Sequence, residues 1–430
     1  MLGVLLGSLF PLLFLSVPIA VCLSLCTVVT FWTFFPSTPV DMMLAQSIVA
    51  SIDSFALMAI PYFMLVGALM ESTGLAEKLI NVAKYITDDT YGGLAGAGVV
   101  ACMFFAAISG SGPATAAAIG AIMIPALLKQ GYSREYSGAM IAGASIIGPV
   151  IPPSILMIMY GVAVGVSVST MFLAGFFPGL FMGLALILYN YFYSRKRGYR
   201  GVKRSELGGD PVKVFIEAIP AMLMPVIVLG GIYTGIFTPT ESSVIGVVYS
   251  LLVGRFVYHK LNWSNYKKAL VDAAITTATI MLLQGGAQTF GRLLTMGKIP
   301  QQIIEMMHTV TSNPVIIMLI VNFAFLIAGM FIDGNSIVIL FAPLFTPLVV
   351  SAGYNIIHFG IIMVINCSIG MLTPPLGGNL FIGQRIAGCS FEGILKEEIP
   401  ILLVHILVLV LLILFPDITL FLPRAFGLIK

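Results

Sequence analysis

The chain has 430 residues, of which 59% are hydrophobic and only 9% are charged. This composition predicts an all-α polytopic membrane protein and excludes a large water-soluble domain. The net charge of +3 is too small and too dispersed to indicate a nucleic-acid partner. The five cysteines and four histidines show neither a CxxC motif nor metal-ligand spacing, so we expect structural or surface roles for them. The apolar N-terminus lacks the basic segment of a signal peptide, and we expect a retained span there.

The first half of the chain predicts apolar spans followed by two interrupted elements. Residues 2–35 are long enough for one tilted span or a bent pair, since about 20 residues cross a bilayer core. Apolar residues at helical spacing in 75–86 predict an amphipathic helix in the membrane interface. The other predicted elements are an interfacial helix and loop at 38–54, spans at 55–70, 94–108 and 168–193, a re-entrant hairpin at about 109–130 and a broken helix at 137–163.

A basic loop at 195–213 separates the halves and should be cytoplasmic, because Lys and Arg are enriched in cytoplasmic loops. In the second half, residues 262–275 are amphipathic and are predicted to mirror 75–86, and 297–308 are predicted to be a polar link. The other predicted elements are spans at 214–236, 242–257, 276–290, 314–330 and 399–421, a hairpin at about 331–350 and a broken helix at 357–385.

The two halves repeat one pattern of helix-breaking residues at a constant offset of 222 positions. Gly112 corresponds to Gly334, and the proline pair at 152–153 corresponds to the pair at 374–375. Because glycine and proline decide where helices stop, what repeats is a set of interruptions. Paired interrupted segments in two halves of a membrane chain indicate a transport site between inverted repeats. The spans alone leave the relative orientation of the repeats open, but halves with hairpins and broken helices are more often inverted than parallel. We therefore expect two inverted repeats, residues 1–200 and 214–430.

Each repeat places a polar, glycine-containing turn before its interrupted helix. We call these turns tip 1 (residues 109–112) and tip 2 (residues 333–336). Proline cannot donate a backbone hydrogen bond, so carbonyl oxygens before the proline pairs are left free, and hard cations need a shell of oxygens. We predict two Na⁺ sites, one per repeat; the alternative is that these features are only kinks. The predicted sodium ligands are Ser109, Gly110, Ser111, Gly112, Gly148, Pro149, Ile151, Asp333, Gly334, Asn335, Gly370, Thr373 and Pro374.

Helix N-termini after the tips and the proline pairs would converge on one cavity if the repeats pack face to face. Their dipoles would favour an anion, unless the nearby hydroxyls bond only their own backbone. For Asp333, the roles of Na⁺ ligand, proton carrier and helix cap remain open. Arg292 either reaches the membrane interface or binds a substrate carboxylate. The predicted substrate ligands are Ser111, Thr115, Ser154, Arg292, Asn335, Ser336 and Thr373.

Several motifs, in order, resemble the large membrane subunit (M subunit) of tripartite ATP-independent periplasmic (TRAP) transporters. The resemblance covers essentially the whole chain. The motifs are GIFTPTE at 235–241, SGSGPATAAAIG at 109–120, GPVIPPS at 148–154, DGN at 333–335 and MLTPPLG at 371–377.

This resemblance implies a Na⁺-coupled importer of organic acids, multi-pass in a bacterial inner membrane, that works as an elevator with a scaffold and a transport domain. It implies a small four-helix membrane subunit, which we expect as a separate polypeptide, and a periplasmic substrate-binding protein. Na⁺ is the expected coupling ion, in two or more copies, with no organic cofactor. The family's cation sites map onto residues 109–112 with 148–152 and onto 333–335 with 370–374.

The substrate is predicted from the segment around Arg292. Residues 290–294 (FGRLL) and 299–302 (IPQQ) resemble the sialic-acid branch of the family, so sialic acid (N-acetylneuraminate) is our expectation and a C4-dicarboxylate the alternative. A carboxylate carrier that needs no binding protein is a further alternative. We do not expect an enzyme, because no Ser/His, His/Asp or His/Glu motif at catalytic spacing is present.

Overall fold

Glycines, prolines and short polar turns divide the apolar chain into helices. The computed structural model describes residues 1–15, 17–87, 90–200, 210–375 and 377–429, and within them it has twenty α-helices and no β-strand. This confirms the predicted all-α class. Residues 201–209 of the predicted basic loop, and Leu376 of the second proline motif, lie outside the described residues.

The first repeat contains ten of these helices. They are α1 (Leu2–Phe14), α2 (Ile19–Phe34), α3 (Val40–Ile52), α4 (Ala59–Ser72), α5 (Leu75–Thr87), α6 (Gly93–Ser109), α7 (Gly112–Lys129), α8 (Arg134–Ser145), α9 (Ile155–Val164) and α10 (Val168–Arg197). Residues 2–35 therefore form two separate helices, α1 and α2.

The second repeat contains the other ten helices of the described part. They are α11 (Pro211–Tyr233), α12 (Pro239–Leu252), α13 (Trp263–Met296), α14 (Ile299–Val310), α15 (Pro314–Gly329), α16 (Gly334–Ser351), α17 (Ile356–Gly370), α18 (Gly378–Ala387), α19 (Phe391–Leu414) and α20 (Asp417–Ala425). Seven helices of the described residues are long and apolar enough to cross a bilayer, and α4 and α5 form a further pair bent by 72°.

The two repeats run in opposite directions. Arg134, at the start of α8, donates a hydrogen bond of 3.3 Å to the Ala387 carbonyl at the end of α18. Tyr160, towards the end of α9, donates one of 2.8 Å to the Ile356 carbonyl at the start of α17. Because α8 leads to α9 and α17 leads to α18, these two contacts place the broken helices antiparallel. The predicted inverted relation of the repeats is thus present in the packing.

Two helical hairpins carry the tips. The Gly92 amide, before α6, and the Ser133 amide, after α7, both donate to Tyr199, at 3.0 and 3.3 Å, so α6 and α7 begin and end at the same place. In the second hairpin, the ring of Phe325 on α15 lies 5.3 Å from that of Phe345 on α16. The hairpins therefore include α6 and α15 and are longer than the segments at about 109–130 and 331–350 that the sequence pattern indicates.

The helix that mirrors α5 is α14, and the prediction that residues 262–275 mirror it was wrong. Those residues form the first part of the long helix α13, because no glycine or proline interrupts the chain between 262 and 284. Residues 297–308, predicted to be a polar link, turn at Lys298, whose φ is 51°, and then enter α14. We call α5 and α14 the arm helices.

The helices pack as two bundles joined by the arm helices. The core bundle contains α6–α10 and α15–α20, in which each hairpin packs against the broken helix of the other repeat: α7 against α18, and α16 against α9. The outer bundle contains α1–α4 and α11–α13. Arm helix α5 packs against α6 and α7, and arm helix α14 against α16. Each arm therefore braces the hairpin of its own repeat.

Candidate functional site

Tip 1 is a turn held by its own hydroxyl groups. Gly110 has a φ of 61°, which ends α6, and the extended Ser111 then caps α7 with Oγ, which accepts from the Ala114 amide at 3.5 Å. Thr115 Oγ1 donates to the Ser111 carbonyl at 2.7 Å and lies 3.2 Å from Ser109 Oγ. Three of the predicted ligands therefore lie together, although each also bonds the local backbone.

Tip 1 lies directly against the interruption of the first broken helix, which we call break 1 (residues 146–154). A Cβ built on Gly148 would lie 2.8 Å from the Ser111 carbonyl oxygen and 3.0 Å from that of Ser145. A Cβ on Gly110 would collide with the carbonyl oxygen of Pro153. Only glycine allows this backbone-to-backbone approach, which brings carbonyl oxygens of the tip and the break close together.

Break 1 has carbonyl oxygens with no hydrogen-bond donor. In the described part of the chain, no donor reaches those of Gly148, Ile151 and Pro153. Such carbonyls are tolerated in a membrane protein only where they are buried in protein or line a cavity, and break 1 is entirely buried. Its oxygens suit a hard cation, which prefers carbonyl and hydroxyl ligands.

Tip 2 is organised by a carboxylate instead of hydroxyls. Asp333 Oδ1 accepts from the amides of Asn335 and Ser336, at 3.0 and 3.2 Å, and Oδ2 accepts from Ser336 Oγ. The side chain thus caps α16 and remains exposed. The capping role is present in the structure, and the charge stays available to a cation from the solvent side.

The second interruption, break 2 (residues 371–377), differs from break 1 in its hydrogen bonds. The Gly370 and Thr373 carbonyls, both predicted cation ligands, accept from the amides of Thr373 and Gly377 at 3.1 and 3.2 Å. Each retains a second lone pair. Gly370 packs on Gly329 of α15, where an added Cβ would lie 2.8 Å from the Gly329 Cα. These two carbonyls therefore accept hydrogen bonds, unlike their counterparts in the first repeat, those of Gly148 and Ile151.

Both tips meet at one side chain of break 2. A Cβ on Gly112 would lie 3.3 Å from Met371 Sδ, and one on Gly334 would lie 3.2 Å from Met371 Cε. The two tips therefore converge on Met371, although neither this residue nor tip 2 lines the two cavities described below.

Asn379 joins the two repeats at this point and was missed by sequence reasoning. Its Nδ2 donates to Ser145 Oγ at 2.7 Å, and a Cβ on Gly112 would lie 2.9 Å from the same nitrogen. Its Oδ1 is buried without a partner. The equivalent position of the first repeat is Met157. Comparison of the two repeats therefore gives no reason to single out Asn379.

A cavity of about 360 Å³ lies between tip 1 and the outer bundle, beside the direct packing of Gly67 of α4 on Ser109. Ser109 and Ser111 line one side of it, and charged side chains of α4 and α13 line the other: Glu71, Lys268 and Asp272. This charged cavity was not predicted, because nothing in the sequence indicates that α4 and α13 pack beside tip 1.

Arg292 does not join the tip residues, which corrects the single substrate site predicted from the sequence. It is exposed and lines a separate cavity of about 430 Å³ with Gln284, Gln288 and Pro343. No tip residue is among those that line this cavity. Along the continuous helix α13, the lining of the first cavity ends at Thr276 and that of the second begins at Gln284, eight residues or about 12 Å further on.

Two other predicted substrate ligands have local partners. Ser154 caps α9 by accepting from the Met157 amide at 3.2 Å, and it donates to the Pro149 carbonyl. Thr373 Oγ1 donates to the Ile369 carbonyl at 3.0 Å. Among the described residues, no group of three or more His, Cys, Asp or Glu side chains could hold a metal ion. The oxygens near the tips are therefore mainly carbonyl, hydroxyl and amide oxygens.

The sequence matches known transporters over nearly its full length. The profile of the family described as "Tripartite ATP-independent periplasmic transporter, DctM component" matches residues 6–418. An isethionate TRAP transporter permease protein of Oleidesulfovibrio alaskensis is 40% identical over 98% of this chain and 66% of its own length. This chain thus spans just under two thirds of that relative.

Two further relatives are covered almost completely, and one solved structure shares the fold. A sialic acid TRAP transporter large permease protein of Vibrio cholerae is 33% identical over 98% of both chains. A C4-dicarboxylate large permease protein of Pseudomonas aeruginosa is 37% identical over 89% of this chain and 90% of its own. The YdaH transporter of Alcanivorax borkumensis, solved by crystallography, has a TM-score of 0.59 at 13% identity and covers 86% of this chain and 87% of its own. The chain belongs to the DctM family of TRAP transporter large permeases, a family of transporters and not of enzymes.

Proposed function

We propose that the protein imports an organic anion across a bacterial inner membrane by secondary active transport coupled to Na⁺. The observation that carries this proposal is the convergence of the two tips on Met371. Beside tip 1 lie carbonyl oxygens of break 1 that accept no hydrogen bond. Such oxygens suit Na⁺, and the N-termini of α7 and α16 beside them suit an anion.

The coupling has an electrical reason. An anion moves inward against a negative interior, whereas an anion accompanied by two or more Na⁺ moves as a neutral or positive unit. Each net positive charge then gains about 2.3 kcal/mol per 100 mV of membrane potential. Na⁺ binding would order the tips first, and the substrate would bind between them.

The two bundles support an elevator mechanism in which the core bundle moves against the outer bundle. The arm helices α5 and α14 form the connections, and the cavities of tip 1 and of Arg292 lie at different levels of α13. Basic residues end α7, α10 and α18, and the positive-inside rule favours a cytoplasmic location for those helix ends.

The proposed partners are a small membrane subunit and a periplasmic substrate-binding protein, as family membership implies. Sialic acid is our first candidate substrate, from the segment around Arg292. Isethionate is the second, because the relative named for it is 40% identical. C4-dicarboxylates are the third.

Uptake into proteoliposomes tests the function. They would contain this chain and its small subunit, with the binding protein outside, an inward Na⁺ gradient and labelled sialic acid, isethionate or succinate. We expect uptake of one of these anions that requires both Na⁺ and the binding protein. Equal uptake with K⁺ in place of Na⁺ would contradict the coupling, and uptake without the binding protein would favour a self-sufficient carrier.

Substitution of Gly110 tests the contact between tip 1 and break 1. Gly110→Ala should reduce uptake at least tenfold, because the new methyl group collides with the Pro153 carbonyl. Gly131→Ala is the matched control: Gly131 also has a positive φ, 85°, but nothing lies within 4 Å of an added Cβ. Both variants share the backbone strain, about 1–2 kcal/mol, so similar uptake by the two would refute the importance of this contact.

Asp333→Asn separates the cap from the charge. Asparagine caps a helix as well as aspartate does, so the variant should fold and keep α16 in place. We expect the Na⁺ concentration for half-maximal uptake to rise at least fivefold, because a cation ligand has lost its charge. An unchanged Na⁺ dependence would leave Asp333 as a cap only, whereas Asp333→Ala should impair both the cap and Na⁺ binding.

A further inference from the structure

Two buried titratable side chains on α19 lie outside the tips and breaks. Glu398 is 1% exposed and His405 is fully buried. They are seven residues apart, or about two helical turns, and therefore lie on the same side of α19. Both face Gly143 of α8: a Cβ built on Gly143 would lie 3.7 Å from Glu398 Oε1, and His405 Nε2 lies 3.1 Å from the Gly143 carbonyl oxygen.

The polar atoms of this pair are mostly unpartnered. Both carboxyl oxygens of Glu398 and Nδ1 of His405 are buried with no hydrogen-bond partner. Because a carbonyl oxygen can only accept, His405 Nε2 carries the proton in the bond to Gly143. Nδ1 of a neutral ring is then a free acceptor. Glycine at 143 leaves the space beside these groups, and a larger residue there would meet Ile401.

No cationic side chain neutralises Glu398 among the described residues. On α10, which packs against α19, the buried hydroxyl of Tyr189 also has no hydrogen-bond partner. The three cations at the end of α10, Arg195, Lys196 and Arg197, are exposed. Arg197 lies 3.8 Å from the neighbouring Glu397, which also accepts a hydrogen bond from Tyr193 at 2.5 Å.

The other helices packed on α19 supply no counter-charge to this site. α15 has no titratable residue. His358 of α17 bonds Thr419 of α20 at 2.8 Å, and Arg385 of α18 is exposed. On α8, Arg134 donates to the Ala387 carbonyl and Glu135 packs on Gly393, both near the start of that helix.

An ionised carboxylate without a partner in a protein interior costs several kcal/mol. We propose that Glu398 is a proton-binding site in the core bundle, between α8 and α19. The carboxyl group binds one proton from the aqueous phase and forms an O–H bond. No other bond changes. Loss of the proton leaves a bare carboxylate between α8 and α19.

The site is connected to break 1 through α8. Gly143 lies two residues before Ser145, which binds Asn379, and five residues before Gly148, about 7.5 Å along a helix axis. A charge that loosens the contact between α8 and α19 at Gly143 therefore disturbs the oxygens beside tip 1. When Glu398 is protonated, α8 and α19 stay packed and the core bundle can move as one unit. Proton binding should therefore favour transport.

The test compares the pH dependence of uptake in wild type, Glu398→Gln and Glu397→Gln. Glutamine resembles the protonated acid and cannot titrate. We expect wild-type uptake to fall at least threefold between neutral and alkaline pH, and Glu398→Gln to retain its neutral-pH rate across that range. Glu397→Gln should follow wild type. The same pH profile in wild type and Glu398→Gln would overturn the proposal.

Thermal unfolding gives a second readout that does not require transport. The melting temperature of wild type should fall as pH rises, because the folded state holds a proton that the unfolded state releases. Glu398→Leu, which fills the site with an apolar side chain, should melt at or above the wild-type temperature and lose this part of the pH dependence. Failure of uptake in all proteins would refute the proposed function but leave this measurement intact. An unchanged melting profile in Glu398→Leu would refute the proton site.

Discussion

The structure depends on one constraint: a backbone that crosses lipid must satisfy its polar groups within protein. At break 1, residues 146–154, the regular helical hydrogen bonds are interrupted. This interruption is tolerated because every residue of break 1 is buried in the core bundle. The antiparallel repeats provide the cover, since each hairpin packs on the broken helix of the other repeat. The free carbonyls of break 1 and the exposed carboxylate of tip 2 are the groups that the proposed Na⁺ sites would use.

The two repeats share their interruptions but not their chemistry. Tip 1 is built from serine and threonine and lies against carbonyl oxygens that accept no hydrogen bond. Tip 2 is built around a carboxylate that remains exposed. Asn379 adds an amide from the second repeat to the first. The two copies of one pattern thus differ in the chemical groups that they would bring to the two proposed cation sites.

Residues whose role is local could be predicted from the sequence. Glycines and prolines determine where helices stop, so the tips, the broken helices and the inverted repeat followed from positions such as Gly112 and Gly334. Long-range partners did not follow. Arg292 lies in a different cavity from tip 1, because the continuous helix α13 carries it past the cavity that tip 1 lines. Asn379 reaches Ser145 only because α18 of the second repeat packs on α8 of the first. Likewise, the sequence could not show that Glu398 would be buried without a partner.

Amide hydrogen exchange, measured in Na⁺ and in choline, tests the central claim that both tips bind Na⁺. We expect Na⁺ to slow exchange in peptides that contain residues 109–115 and in those that contain residues 333–340, while peptides from α2 in the outer bundle remain unchanged. Protection of both tips at the same Na⁺ concentrations that drive uptake would agree with paired cation sites. Equal exchange of both tips in Na⁺ and choline would contradict the account.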